Sequence, residues 1–171
     1  MFACDEAGLI IQVPATGTFN FDIDSEVANA SANRSLTNEV TIDPADLVNE
    51  SAELIKSISL TKFTYGVSGY AASSAVPVLM NLSVSTRIEG ATTVLLSVSG
   101  VPLINGVITA FEEDNEASVL TAAQVASLET LMENQGVFDL IVTAGFDNNL
   151  ESDFTIDIVW DLIASIEVPE E

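Results

Sequence analysis

The chain has 171 residues, with 26 Asp and Glu against 4 Lys and Arg, no His, one Cys and a formal net charge of −22. Four cations cannot track a phosphate backbone, so nucleic acid is not an expected partner, and an anionic membrane surface repels the chain. Without His there is no Ser-His-Asp or Cys-His arrangement and none of the usual zinc sites, and one Cys closes no internal disulfide.

Apolar residues make up 48% of the chain, enough to bury a core despite the charge. The length fits one domain. Uncompensated negative charges repel one another in the compact state, and salt screens that repulsion. The composition therefore suits a salty, extracellular medium or one rich in divalent cations.

In chain order, the first periodic segment is Phe19, Phe21 and Ile23, alternating with Asn20, Asp22 and Asp24. This period of two marks a half-buried strand. Val40 and Ile42 form a short second piece, and Asp43-Pro44 opens a helical turn with Asp as N-cap and Pro at the first position. Ile58 and Leu60 share one parity, whereas Phe63, Tyr65 and Val67 share the other, which predicts a bulge near Thr61-Lys62. Val78, Met80, Leu82, Val84 and Ile88 alternate next. Val94, Leu96 and Val98 follow the turn at Glu89-Gly90. Asn105-Gly106 is a hairpin signal leading to Val107, Thr109 and Phe111.

One segment breaks the pattern. Thr121 through Gln124 fits a capping box, and Leu128, Leu131 and Met132 fall at helical spacing before Gly136, so a helix is expected over 121–134. Phe138, Leu140, Val142, Ala144 and Phe146 alternate again, and so do Phe154, Ile156, Ile158, Trp160 and Leu162. Asp147-Asn148-Asn149 supplies turn chemistry between them, which predicts an antiparallel hairpin. The sum is an all-β fold: an antiparallel β-sandwich, Ig-like or jelly-roll-like, of 7–8 strands with one inserted helix, a barrel being the alternative. The domain is expected to cover residues 8–171.

Acidic clusters at Asp22/Asp24/Glu26, at Glu112/Glu113/Asp114/Glu116 and at the 147–153 connection offer oxygen ligands for calcium. The third is the richest, and its expected ligands are Asp147, Asn149, Glu151 and Asp153. None follows the twelve-residue EF-hand pattern. Trp160 and Tyr65 share parity with core positions, whereas Tyr70, beyond its strand and beside Gly69, is the expected exposed ligand contact. No nucleophile elbow, P-loop or dinucleotide fingerprint is present, so no catalytic residue is assigned and the chain is not read as an enzyme.

Met1-Phe-Ala-Cys-Asp-Glu6 resembles the end of a bacterial lipoprotein signal, with Ala3 before Cys4 and an acidic pair after it. The layout continues through Thr41-Ile-Asp-Pro-Ala-Asp46 and Ile55-Lys-Ser-Ile-Ser-Leu-Thr-Lys-Phe-Thr-Tyr65. It is similar to small surface lipoproteins of Bacteroidota. The resemblance implies lipidation at Cys4, an anchor segment at 1–7 and a place at the outer membrane or cell surface. It also implies surface or outer-membrane proteins as partners, with the membrane reached only through acyl chains. On this reading the chain is a non-catalytic accessory or binding subunit. Two alternatives compete with it: a structural subunit of an extracellular filament or shell, and a calcium-dependent carbohydrate-binding module.

Overall fold

The computed structural model describes residues 9–31, 33–71, 77–115, 117–134 and 136–168. Eight strands run through it: β1 (Leu9–Ile23), β2 (Ser35–Ile42), β3 (Ile55–Ser68), β4 (Leu79–Ile88), β5 (Ala91–Pro102), β6 (Gly106–Glu112), β7 (Phe138–Phe146) and β8 (Phe154–Val168). Among the described residues three α-helices interrupt them, α1 (Ser25–Ala30), α2 (Pro44–Val48) and α3 (Ala122–Glu133), with one 3-10 turn at Ala52–Leu54.

The strands form two four-stranded sheets, ordered β1-β8-β3-β6 and β2-β7-β4-β5. β1 pairs with β8, β2 with β7, β3 with β6 and β4 with β5, all antiparallel. The chain therefore behaves as one long hairpin, folded back at Glu89-Gly90 and wound across two layers. This nesting is the jelly-roll form of the sandwich.

The topology corrects two expectations. β7 and β8 are not a hairpin, because β7 lies in one sheet and β8 in the other. Likewise β5 and β6 flank Asn105-Gly106 without pairing, since that connection also crosses between layers. Turn-forming residues permit a reversal, but the partner of each strand is set by which apolar faces close the core. Only the β4–β5 pair is joined locally, at a turn where Glu89 and Gly90 have φ of 48° and 86°.

β8 is the spine of the first sheet. Its inward residues Phe154, Ile156, Ile158, Trp160, Leu162, Ala164 and Ile166 are all buried, alternating with half-exposed neighbours. Trp160 is fully buried, 4.9 Å from the Phe19 ring edge-on and stacked at 6.3 Å on Phe138 of the opposite sheet. Its indole N–H is buried without a hydrogen-bond acceptor. The expected slip in β3 is present as a register shift between Leu60 and Lys62 against β8. In β5 the single alternation fails: Leu95 and Leu96 are both buried, and Val94 points out, 49% exposed.

α3 begins at the expected capping box. Gln124 N donates to Thr121 Oγ1 (3.3 Å), and Thr121 N donates to Gln124 Oε1 (2.8 Å). The helix does a second job at the sheet edge. Leu60 N donates to Glu129 Oε1 (2.9 Å), and Ile58 N donates to Glu133 Oε1 (3.3 Å). These are β3 positions beyond the reach of β6, so side chains of α3 satisfy strand donors that would otherwise be open. Asp43 caps α2 as expected, accepting from Ala45 N at 2.9 Å. α1, capped by Asp24, had no counterpart in the apolar periodicity because it is only six residues long.

Candidate interaction surface

The expected calcium ligands are not assembled into a cage. Asp147 Oδ1 accepts from Leu79 N (2.7 Å), and Asn149 Oδ1 accepts from Arg34 Nε (2.9 Å). Asp153 Oδ1 accepts from both the backbone N–H and the hydroxyl of Ser25, at 2.8 and 2.6 Å. Those hydrogen bonds hold the Asp153 carboxyl below its ordinary pKa. Glu151 sits by Tyr70. Among the described residues, no group of three or more acidic or Cys side chains lies close enough to hold a metal ion. These side chains fasten the two ends of the connection to neighbouring strand ends, at β4 and β2 in one sheet and at β1 in the other.

The other acids behave similarly. Along the outer face of the first sheet, Asp22 accepts from Thr155, Asp157 from Asn20 and Ser68, and Asp161 from Thr16, at 2.6–2.9 Å. Arg87 in β4 reaches across to Asp139 in β7 and Glu39 in β2, both at 2.8 Å. The Arg87 hydrogen bonds, then that of Thr41, lower the Asp139 pKa.

Tyr70 is not the exposed contact expected of it. It is buried, 6% exposed, with its ring edge-on to Phe154 at 5.5 Å. Burial raises its phenol pKa, and the Glu151 charge adds to the effect while the Glu151 backbone opposes it. The loop is drawn inward because Asn105 grips the Tyr70 backbone. Cys4 lies outside the described residues.

A different surface stands out. Residues 63–111 form a run of 49 with only Arg87 and Glu89 charged, so the whole net charge of −22 is carried by the rest of the chain. The fold gathers much of this run on one flank. β5 and β6 are the edge strands of their sheets, and the loop joining them bridges the layers on that side. Arg87 and Glu89 lie at the far end of β4 from Met80. At the near end, Tyr65, Val67 and Met80 floor a groove of about 260 Å³, walled by Ile104, Val107 and Ile108. Ile104 is 63% exposed and Val107 74%.

Gly66 and Gly106 shape this corner. A Cβ on Gly66 would lie 2.9 Å from the Gly106 carbonyl oxygen and 3.3 Å from Val107 Cγ2, so the bare backbone of Gly66 leaves the room that β6 and Val107 occupy. The outer edge of β6 is partly closed: the Val119 and Leu120 N–H groups both donate to the Ala110 carbonyl, at 2.7 and 3.0 Å. In the row that carries Val107, the nearest acid is Asp157, two strands inward. That is about 10 Å at ordinary strand spacing, beyond a Debye length in physiological salt. Alternation at 107–111 placed Val107 in a core row, whereas the structure leaves it open. The signal that finds this surface is the gap in charge along the chain, not its period.

No family model matches the chain, and no curated protein matches it. Solved structures similar to it include desmodium yellow mottle tymovirus, at 9% identity and TM-score 0.38, covering 100% of this chain and 95% of that one. The decameric BFDV capsid protein shares 7% identity at TM-score 0.42, covering 91% and 99%. Turnip yellow mosaic virus shares 10% at TM-score 0.36, covering 96% and 97%. Likenesses with TM-scores below 0.5 carry no function across.

Proposed function

We propose that this chain is a non-catalytic structural subunit that assembles through its charge-poor β5–β6 flank. The observation that carries the reading is the conjunction of Ile104 and Val107, both largely exposed, with a 49-residue run of zero net charge in a chain of −22. Solvent-facing aliphatic residues grouped around an apolar groove mark an interaction surface. An acidic molecule meets another protein with least repulsion where it carries no charge. Asp139 and Asp153 accept hydrogen bonds from Arg87, Thr41 and Ser25 on neighbouring elements, which supports a bracing role for these two acids. An extracellular, salt-rich setting accords with the acidic remainder.

Sedimentation velocity of the full chain, from micromolar to millimolar and from 0.05 to 1 M NaCl, tests the proposal. Assembly should grow with concentration and with salt, because salt screens the acidic repulsion. A strict monomer throughout would reject it.

A second reading keeps the tether at Cys4. What favours it is the exposure of Leu9 and Ile10, at 64% and 58%, close behind that residue. A membrane-bound chain, held by acyl groups, would serve as an accessory subunit at the outer membrane or cell surface. Native protein should then start at Cys4 and carry acyl mass; a free thiol behind Met1 would dismiss the tether.

A further inference from the structure

Asn105-Gly106 is the only Asn-Gly step in the chain, and it does not make the hairpin turn typical of such a step. The pair carries a second chemistry. The backbone nitrogen that follows an Asn can attack the side-chain amide, and Gly in second place leaves that nitrogen least hindered. Here the step is open to water. Its neighbours Ile104 and Val107 are 63% and 74% exposed, and a Cβ on Gly106 would meet nothing within 4 Å.

One contact restrains the amide. Asn105 Oδ1 accepts from Tyr70 N at 2.9 Å, and Nδ2 donates to Tyr70 O at 2.8 Å. Attack would turn the planar amide carbon tetrahedral, whereas both bonds keep the amide planar and directed at Tyr70. Tyr70 is in turn fixed from its other side. Its ring lies edge-on to Phe154 at 5.5 Å, and Ala71 N donates to Ser152 Oγ at 2.8 Å. Reaction is therefore confined to molecules in which both bonds to Tyr70 have opened, and its rate follows their population.

We infer that Asn105-Gly106 is a deamidation site held in check by the Tyr70 backbone, and that its reaction opens this latch for good. In the open state the Gly106 nitrogen bonds to Asn105 Cγ as the Cγ–Nδ2 bond breaks. Nδ2 leaves as ammonia and takes up the Gly106 amide proton. Water then opens the five-membered imide, at Cγ to give Asp or at the backbone carbonyl to give its β-linked isomer. The carboxylate of either product has no N–H to offer the Tyr70 carbonyl, so the paired grip cannot re-form. Leu103 N still donates to Val78 O at 2.8 Å, which confines the loosening to 104–106 and Tyr70. The new carboxylate also falls within the 49-residue run whose only charges are Arg87 and Glu89.

Ageing of the full chain at mildly alkaline pH, both native and in guanidinium chloride, tests this. Peptide mapping by mass spectrometry should find the amide exchanged for an acid at Asn105. Conversion should be about tenfold or more slower in the native protein, as the loss of two ordinary hydrogen bonds requires. Ser152→Ala and Tyr70→Ala loosen Tyr70 while keeping its backbone groups, and each should narrow that gap. Anion exchange separates the converted fraction by its added charge. In that fraction hydrogen exchange should quicken at Tyr70 and 104–106, while β7 and β8 stay protected; Asn105→Asp should show the same pattern without ageing. Equal rates in the two solvents, or a gap unchanged by both variants, would show that Tyr70 restrains nothing. A native chain still intact long after the denatured one has converted, beyond the time the measured slowing allows, would mean that the step is locked and is no site. Unchanged exchange at Tyr70 in the converted fraction would remove the latch.

Discussion

Asn105 holds the backbone of Tyr70 as a strand would. Its Oδ1 accepts from Tyr70 N at 2.9 Å, and its Nδ2 donates to Tyr70 O at 2.8 Å. One side chain thereby satisfies both polar groups of a half-buried peptide and links the end of β3 to the β5–β6 crossover.

Asn105→Ala leaves both groups of Tyr70 without these partners, at about 1–3 kcal/mol for each buried group left unsatisfied. Asn105→Asp keeps the acceptor but sets a carboxylate oxygen against the Tyr70 carbonyl. Both should lower stability in urea unfolding. A change within a few tenths of a kcal/mol for Asn105→Ala would show that water replaces the side chain.

Gly66→Ala places a methyl group 2.9 Å from the Gly106 oxygen. Backbone cannot give as a flexible side chain can, so β6 must shift. Overpacking of this kind costs about 1–3 kcal/mol. Hydrogen exchange should accelerate at Gly106–Thr109 more than at β4 or β7. Uniform loss of protection across the sandwich would contradict a local β3–β6 effect.

Trp160 combines a large apolar body with an unpartnered buried N–H. Trp160→Ala opens a cavity and should cost about 3–5 kcal/mol. Trp160→Phe keeps most of the ring contact with Phe19, Phe63 and Phe138 and removes the unsatisfied donor. Its cost in thermal or denaturant unfolding should be less than half that of the alanine variant. Equal costs would mean that the N–H does have a partner.

The chain has two tyrosines, and burial is the leading cause that raises the pKa of each. A phenol titrates near about 10 when free. The neutral phenol is favoured in the fold, so this contribution to stability is complete below the unfolded pKa and is lost as pH rises through the higher folded one. Ultraviolet titration of the native protein should show less than half of the tyrosine ionised at pH 10, with ionisation and unfolding coming together at higher pH. Half ionisation at pH 10 with the fold intact would place the two rings in water.

Period-two alternation made most strands readable because each inner face meets a dry core. The spine Phe154–Leu162 and the capped helix after Thr121 are the clearest cases. Pairing was not readable. Asp147-Asn148-Asn149 and Asn105-Gly106 have the chemistry of hairpin turns, yet both carry the chain between layers, because a turn's local energy does not specify which sheet the next strand joins. The acidic connection at 147–153 looked like a cation site for a related reason: composition shows oxygen ligands, but only the fold shows that Leu79, Arg34 and Ser25 donate to them. Tyr70 went the same way, since a residue 35 positions distant draws it inward.

By itself, the order of residues determined that this protein is an acidic, two-layered β domain with a helix expected over 121–134, because burial follows local periodicity. Tertiary structure alone decided that β5 and β6 would share one uncharged flank, and that Asn105 would reach the backbone of Tyr70. Those relations arise from long-range pairing, which sums weak contacts over the whole core and leaves no mark in any short stretch of chain.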